Sequence, residues 1–283
     1  AAGRVRHARA PALVVRDFSI LHALPLDAEQ RPRETRTDLD EDGAFALRSR
    51  ARLSDEPWTL HAAGRVSPLT RLPEPAAAAQ GRRPAVPSET LLAAAATAGL
   101  GYGPAFQAVA ALSADTATGL AEAELRRPPT APPDSEFLLH PVRLDGALQG
   151  LIGLLLGRAA AEDGAGLVPV RFARLTWKRG GGPAAGACVR LSARGERGAA
   201  ADLVLRDASG GAVAVVEGVW LQRVRLPSEG GADAAFRVDL VPAPPGPNAE
   251  APDGLDLGAA MDAARQRDAA LDLGEAALLL EGF

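Results

Sequence analysis

The sequence predicts an α+β fold in which an antiparallel sheet wraps round one buried helix. The stretch from His140 to Gly157, HPVRLDGALQGLIGLLLG, is apolar nearly all the way round a helical wheel, and a helix of that kind is buried. Strand-like segments precede and follow it, and a sheet curved round the helix accounts for its apolar character on every side. The helix is too short to span a bilayer, which needs about 20 apolar residues.

This central helix carries two polar side chains on one face. Its predicted first residue is Pro141, whose missing N–H is no loss in a first turn. The acid Asp145 and the amide Gln149 are four residues apart and therefore share a face. Three glycines interrupt the helix: Gly146, Gly150 and Gly153. Each costs about 1 kcal/mol against alanine, which suggests another backbone or a ligand passing close. A buried carboxyl beside an amide is either a structural pair or a working acid, and the pattern leaves both open.

Composition narrows the class of protein. The 283 residues provide one large domain or two small ones, and 47% are hydrophobic, which is ample for a core. The net charge of −4 comes from interspersed acids and bases, so no basic face indicates nucleic-acid binding. The single cysteine, Cys188, excludes an internal disulfide framework and a cysteine-based zinc site. We predict no metal and no membrane, and a reducing, cytoplasmic location fits.

The start of the chain shows no secretory signal, because no apolar core follows its first basic residues. There is no initiator methionine, and the single methionine is Met261. We therefore expect a piece of a longer protein, or a chain whose start was not kept. Residues 1–9 are typical of the end of a helix.

Three strands are predicted before residue 67: Leu13–Leu21, Ala44–Leu53 and Trp58–Val66. In the second strand Phe45, Leu47 and Leu53 share one face, as in a half-buried antiparallel strand. The acidic segment Asp38–Gly43 before it is predicted to be a turn. The aperiodic, proline-rich stretch from Ser67 to Pro87 is predicted to be a linker.

The second part of the chain predicts a short helix, a turn and more strands. Ser88-Glu89 caps the helix, which ends at Gly99, and GYGPAFQ, residues 101–107, follows with the only tyrosine, Tyr102. The predicted strands are Gln107–Ser113, Thr118–Arg126, Val170–Lys178, Ala187–Ala193, Asp202–Asp207 and Ala212–Val224. The last two form a hairpin across 208–211. After Pro227 we expect a linker with a possible strand, Phe236–Val241, and the start of another unit at Leu255–Phe283.

Two motifs resemble those of the dehydratase domain of modular polyketide synthases. GYGPAFQ resembles that family's YGPxFQ turn, and HPVRLDGALQ, residues 140–149, resembles its HPxxLDxxLQ helix start. VPVRFARLTW is similar to the strand that follows, with Val168 in place of leucine, and the likeness covers about residues 10–226. It implies a double hot-dog fold, in which two antiparallel sheets each wrap a central helix, with the first hot dog incomplete. The implied parts are a partial N-terminal hot dog (1–67), a linker (68–87), a C-terminal hot dog (88–226) and a post-domain segment (227–283).

The resemblance implies loss of water from a β-hydroxyacyl chain to give an α,β-unsaturated thioester. The chain would be carried on the phosphopantetheine arm of an acyl carrier protein, and the domain would bind no cofactor of its own. Neighbouring synthase domains and a second copy in a homodimer are the other implied partners. In this family the acid is the aspartate of the helix motif, here Asp145, and Gln149 would orient either that carboxyl or the departing hydroxyl. Tyr102 would line the site, and Gly103 and Pro104 would shape the turn.

The departure from the family concerns the base. The family's base is a histidine in an HxxxGxxxxP motif upstream of the strand that corresponds to Leu13–Leu21. His7 is the only histidine that early, and Pro11 stands where the motif needs glycine. Either the histidine lies upstream of this chain, or the domain is an inactive, dehydratase-like module. A third reading is a related double-bond isomerase or cyclase.

The remaining histidines and the thiol are predicted to have structural roles. His140 belongs to the helix motif and is expected to position the helix start. His61 is expected to pack within a strand, and His7 and His22 to lie on the surface. Cys188 lies on a predicted strand with no histidine near it in sequence, so an inert buried thiol is expected. Tyr102 could equally be a packing aromatic.

Overall fold

The computed structural model describes residues 7, 9–24, 32–75, 83–155, 165–195 and 198–225. Within these residues lie eleven strands and two α-helices. The strands are β1 (Ala12–Ile20), β2 (Arg33–Leu39), β3 (Ala44–Ala51), β4 (Thr59–Leu69), β5 (Ala85–Val86), β6 (Val109–Asp115), β7 (Leu120–Leu125), β8 (Ala165–Lys178), β9 (Gly186–Arg194), β10 (Gly198–Arg206) and β11 (Ala212–Arg225). The helices are α1 (Ser88–Thr97) and α2 (Pro141–Leu155), and 3₁₀ turns lie at Pro104–Phe106 and Asp134–Glu136.

All eleven strands belong to one antiparallel sheet. Their order across it is β2-β3-β4-β1-β8-β11-β10-β9-β7-β6-β5. Helix α2 packs on β6, β7, β9 and β10, and α1 packs against α2 and β6. The predicted α+β class, a sheet wrapped round one long helix, is therefore confirmed. β1 pairs with both β4 and β8, so the strands of the two halves form one continuous surface.

Helix α2 approaches the sheet closely along its glycines. A Cβ added to Gly146 would lie 3.0 Å from the Cβ of Ala108 and 3.0 Å from Cδ2 of Leu125. The same addition at Gly150 or Gly153 would meet side chains of β9 or β6 at 3.0 and 2.8 Å. The close neighbours of these glycines are therefore the side chains of Ala108 and of strand residues, where the sequence suggested a backbone or a ligand.

The opposite side of α2 is only half-buried, and the prediction of burial on every side is wrong there. Leu144, Leu148 and Ile152 recur every fourth residue and form a partly exposed apolar stripe, with Asp145 at its margin. Their spacing places them on one face of the helix. The described part of the chain before residue 76 contains strands and no helix, so no helix of that part packs on this stripe. We call Leu144, Leu148 and Ile152 the open stripe.

Two local predictions in the first half are wrong. Asp38 and Leu39 belong to β2, and the turn is limited to residues 40–43. β2 consists of charged residues and threonines up to its last residue, Leu39, and lies at the edge of the sheet, so it lacks the apolar period that marks buried strands. Leu53 follows the end of β3 with φ of 57° and is 93% exposed, so it does not share the face of Phe45.

Two further segments differ from the sequence predictions. α1 starts at Ser88 after Pro87, with no side-chain cap, so the predicted Ser88 cap is wrong. The helix ends at Thr97, two residues before the predicted Gly99, and Gly99 has the positive φ, 78°, that turns the chain away from the helix. The expected linker contains the end of β4 and the short β5. The predictions for 1–6, for Phe236–Val241 and for Leu255–Phe283 lie outside the described residues. No helix within the described ranges is long and apolar enough to cross a membrane.

We predict that Gly146→Val destabilises the fold by about 1–3 kcal/mol, because valine's branched side chain overpacks the contact with Ala108 and Leu125. Urea unfolding measures the loss. The control is Gly182→Val at an exposed turn, where the nearest contact of an added Cβ is 3.5 Å. Its effect should stay within about 0.5 kcal/mol. Equal unfolding free energies for both variants would contradict the close packing of α2.

Candidate active site

Asp145 and Gln149 form a hydrogen-bonded pair on α2. The Gln149 Nε2 group donates to Oδ2 of Asp145 at 2.9 Å and to the backbone carbonyl of Phe106 at 2.9 Å. Gln149 is 1% exposed, whereas Asp145 is half-buried. One amide therefore ties the carboxyl to the turn that contains Phe106.

That turn is the GYGPAFQ segment. Gly103 is extended, with φ of −63° and ψ of 168°, and Pro104 begins the 3₁₀ turn that ends at Phe106. The side-chain amide of Gln107 donates to the Tyr102 carbonyl at 3.1 Å and closes the segment on itself. Pro104 is exposed and Gly103 half-buried. Their place in the turn is to set its backbone path, which brings the Phe106 carbonyl to Gln149.

The electrostatics of the site favour a protonated carboxyl. Burial raises the pKa of Asp145, and the hydrogen bond from Gln149 opposes that rise only in part. The pKa of Tyr102 is also raised, first by burial and then by the negative charge of Asp145. The structure thus brings Tyr102 into electrostatic range of Asp145. In both groups the neutral form is favoured more than it is in the free side chain.

His140 caps the start of α2. Its Nδ1 accepts from the backbone N–H of Val142 at 3.2 Å, and its Nε2 lies 2.9 Å from the Pro132 carbonyl. The residue is 4% exposed, and the centroid of its ring lies 4.6 Å from the ring centroid of Phe137. Nδ1 therefore accepts while Nε2 donates. Because both nitrogens are occupied, His140 orients the helix, as the sequence predicts.

Arg143 is a part of this region that sequence reasoning missed. Its guanidinium pairs with both carboxylate oxygens of Asp134, Nε at 2.7 Å and Nη2 at 2.9 Å. Nη1 also donates to the carbonyls of Ala184 at 2.5 Å and Leu125 at 3.3 Å. The residue is 8% exposed. A cation inside an apolar helix start was the available signal, because such a charge needs a partner when buried.

The other described histidines do not complete the site. His61 is buried on β4, where Nε2 is 2.7 Å from the Ser49 hydroxyl and Nδ1 is 3.1 Å from the His22 carbonyl. This confirms its packed position. His22 is exposed, as predicted, whereas His7 is half-buried against Arg179. Burial and Gln149 account for the shift in the pKa of Asp145, and neither involves an imidazole.

Within the described ranges, neither the thiol of Cys188 nor a cluster of potential metal ligands forms a second candidate site. Cys188 is half-buried on β9, and burial followed by the charge of Glu122 raises its pKa. A raised pKa lowers thiolate content, which fits the predicted inert thiol. In the described residues no group of three or more His, Cys, Asp or Glu side chains could hold a metal ion.

Comparison with known proteins identifies the family. Residues 70–229, more than half of the chain, match the family model described as the polyketide synthase dehydratase N-terminal domain. The chain is 30% identical over 236 residues to one of the phenolphthiocerol/phthiocerol polyketide synthase proteins of Mycobacterium tuberculosis, covering 79% of this chain and 12% of that protein. It thus spans only a small part of that curated relative.

Solved structures agree. The dehydratase domain from the CurJ module of curacin polyketide synthase superposes with a TM-score of 0.66 at 19% identity, covering 79% of each chain, which shows the fold. The dehydratase domain of PpsC from Mycobacterium tuberculosis, in complex with C12:1-CoA, gives a TM-score of 0.58 at 28% identity, covering 79% of this chain and 80% of that one. Sequence motifs, sheet and helix agree with these comparisons, and the chain belongs to the polyketide synthase dehydratase family.

Proposed function

We propose that this chain acts as a dehydratase on β-hydroxyacyl thioesters and that Asp145 is the proton donor. A base removes the α-proton. The electron pair of the broken C–H bond then forms the α,β double bond as the bond from the β-carbon to the hydroxyl oxygen breaks. The leaving hydroxide takes the carboxyl proton of Asp145 and departs as water. The observation that carries the proposal is the half-buried carboxyl of Asp145, tied by Gln149 to the carbonyl of Phe106.

Each predicted site residue has a place in this mechanism. Gln149 donates to Oδ2 of Asp145 and so leaves Oδ1 as the oxygen to carry the proton. We propose that Tyr102 lines the site, which its electrostatic interaction with that carboxyl supports. Gly103 and Pro104 hold the turn from which the Phe106 carbonyl reaches Gln149. Orientation of one oxygen toward the substrate is what a general acid needs, since proton transfer demands hydrogen-bond reach.

The open stripe supports an acyl substrate. Leu144, Leu148 and Ile152 provide apolar surface beside Asp145, against which a hydrocarbon chain loses contact with water. The PpsC dehydratase domain was solved with C12:1-CoA, an acyl thioester, which supports the same substrate class here. We propose that the thioester arrives on the phosphopantetheine arm of an acyl carrier protein and that no further cofactor takes part.

The base is proposed to come from outside the described residues and to be a histidine. A second candidate function is an inactive dehydratase-like module that holds neighbouring synthase domains in place. The observation that favours it is that three of the described histidines, His22, His61 and His140, have ring nitrogens engaged in hydrogen bonds. A longer segment of the parent synthase decides between the two.

The wider assembly is also a proposal. We retain the division into a partial N-terminal hot dog (1–67), a linker (68–87), a C-terminal hot dog (88–226) and a post-domain segment (227–283). Neighbouring synthase domains, an acyl carrier protein and a second copy of the chain are the proposed partners, and the cytoplasm is the proposed location. Membership of the polyketide synthase dehydratase family supports the first two partners.

We predict that Asp145→Asn lowers kcat for dehydration of a β-hydroxyacyl-pantetheine thioester by about 10²–10⁴-fold, because the amide cannot supply the proton. The assay uses this chain and a longer synthase segment that extends upstream, with chromatographic detection of the enoyl product. The control is Asp55→Asn, an exposed carboxyl between β3 and β4, which should retain full activity. Equal rates for the native protein and for Asp145→Asn would show that Asp145 is not the proton donor. A longer segment that does not dehydrate the substrate would support the inactive dehydratase-like module.

Asp145 on α2 and Asp134 in the turn before it should affect the free energy of unfolding with opposite dependence on pH. The pKa of Asp145 is raised in the folded protein, so its stabilising effect is present below the unfolded pKa and is lost as pH rises through the folded pKa. Asp145→Asn removes that loss, and the variant should gain stability relative to the native chain between about pH 4 and about pH 8. Urea unfolding at both pH values measures the gain.

Asp134 provides the comparison of opposite sign. The hydrogen bond from Arg143 lowers its pKa, so its contribution is present above the unfolded pKa and is lost as pH falls through the folded pKa. Asp134→Asn should therefore cost about 1–3 kcal/mol near neutral pH, and less in acid. A relative stability of the two variants that does not change with pH would contradict these assignments.

A further inference from the structure

We propose that Arg143 is a positioning residue, whose guanidinium group locks the start of α2 so that the Asp145 carboxyl stays against the turn at residues 101–107. The proposal rests on the proposed role of Asp145 as proton donor. It concerns a residue that contacts neither the carboxyl nor the turn in the described structure. Its action on the site is therefore through the helix.

The contacts of Arg143 reach three separate segments. Asp134 lies in the loop before α2, Leu125 ends β7, and Ala184 lies in the loop that leads into β9. Four hydrogen bonds from one side chain thus join the helix to the loop and to the ends of two sheet strands. Hydrogen bonds from a charged donor are stronger than those between neutral groups, and the planar fork of arginine makes this set directional.

The position of Arg143 on the helix makes these contacts a rotational lock. Arg143 precedes Asp145 by two residues, which places the two side chains about 200° apart round the helix. The guanidinium contacts hold the helix at Arg143, and the bond from Gln149 to the Phe106 carbonyl holds it six residues later, about 120° round the helix. Rolling or sliding the helix would break one of these two sets of contacts. The Asp145 carboxyl, which lies on the same side as Gln149, is thereby kept at one depth.

Burial is the leading cause of the raised pKa of Asp145, so that pKa reports the position of α2. If the lock is lost, water reaches the carboxyl and its pKa falls toward the ordinary value. The direct electrostatic effect has the opposite sign, because removing a nearby cation raises a carboxyl pKa. The titratable group that faces Asp145 in the described residues is Tyr102, and the cations around Asp134 at this end of the helix are Arg127 and Arg143 itself. The direction in which the pKa of Asp145 changes therefore separates exposure of the carboxyl to water from loss of the cation's charge.

The test is a ¹³C NMR titration of the Asp145 carboxyl in aspartate-labelled protein, with the signal assigned by its loss in Asp145→Asn. The principal variant is Arg143→Lys, which keeps the charge and removes the fork. The matched control is Arg48→Lys in the Arg48–Asp38 pair between β3 and β2, where the two side chains are 15% and 14% exposed and the N–O distance is 2.7 Å. These two strands are not among those on which α2 packs.

Arg143→Lys should shift the carboxyl titration to lower pH, while Arg48→Lys leaves it in place. Arg143→Gln is the second variant, and a downward shift there would oppose the electrostatic effect of the lost cation. An unchanged or upward shift in folded Arg143→Lys would overturn the proposal. The same shift in the control would also overturn it, because general loosening would then explain the result.

The titration needs no turnover, so its outcome is separate from that of the dehydratase proposal. In an active, longer synthase segment the same Arg143→Lys change should lower kcat by about tenfold or more, with KM unchanged since substrate contacts remain. A loss of pKa shift in a segment that never dehydrates would support Arg143 as a positioning residue and refute the catalytic role. An unaltered titration with normal catalysis would refute Arg143 alone.

Discussion

The hydrogen bonds of the Gln149 amide hold the candidate site together. One nitrogen donates both to Oδ2 of the Asp145 carboxyl and to the Phe106 carbonyl, so helix α2 and the GYGPAFQ turn share a single buried donor. Burial of that amide requires partners for its hydrogens, and the two acceptors supply them. The carboxyl is thereby fixed at the margin of a half-buried apolar surface, where its neutral form is favoured.

The helix, the turn and most strands could be predicted from the sequence, because each leaves a local signal. Examples are the apolar run before Leu155, the proline at 141 and the glycine at 99, which takes a positive φ in the structure. The edge strand β2 could not, because its Arg, Glu and Thr side chains alternate without an apolar face. Arg143 was also missed. Its partners at Asp134, Leu125 and Ala184 are 9, 18 and 41 residues away, and such contacts have no local pattern.

The exposed side of α2 shows the limit of reading a helix from hydrophobicity alone. A helix that is apolar all round was expected to be covered all round, yet Leu144, Leu148 and Ile152 are only partly covered by the described residues. Hydrophobic patterning states which side chains favour burial, and tertiary contacts decide which are buried. The side that faces the sheet uses glycine, where backbone and sheet come close, and the open side keeps its leucines beside the acid.

Burial raises the pKa of the Asp145 carboxyl, so its ionisation costs the folded state stability, and pKa shifts of this kind are typical of functional sites. Infrared spectroscopy at about pH 5, roughly one unit above the ordinary titration of aspartic acid, tests the central claim most directly. We expect a protonated-carboxyl stretching band that moves in D₂O and disappears in Asp145→Asn. A spectrum in which Asp145→Asn removes only ionised-carboxylate absorption would show that Asp145 carries no proton to donate, and would refute its proposed role.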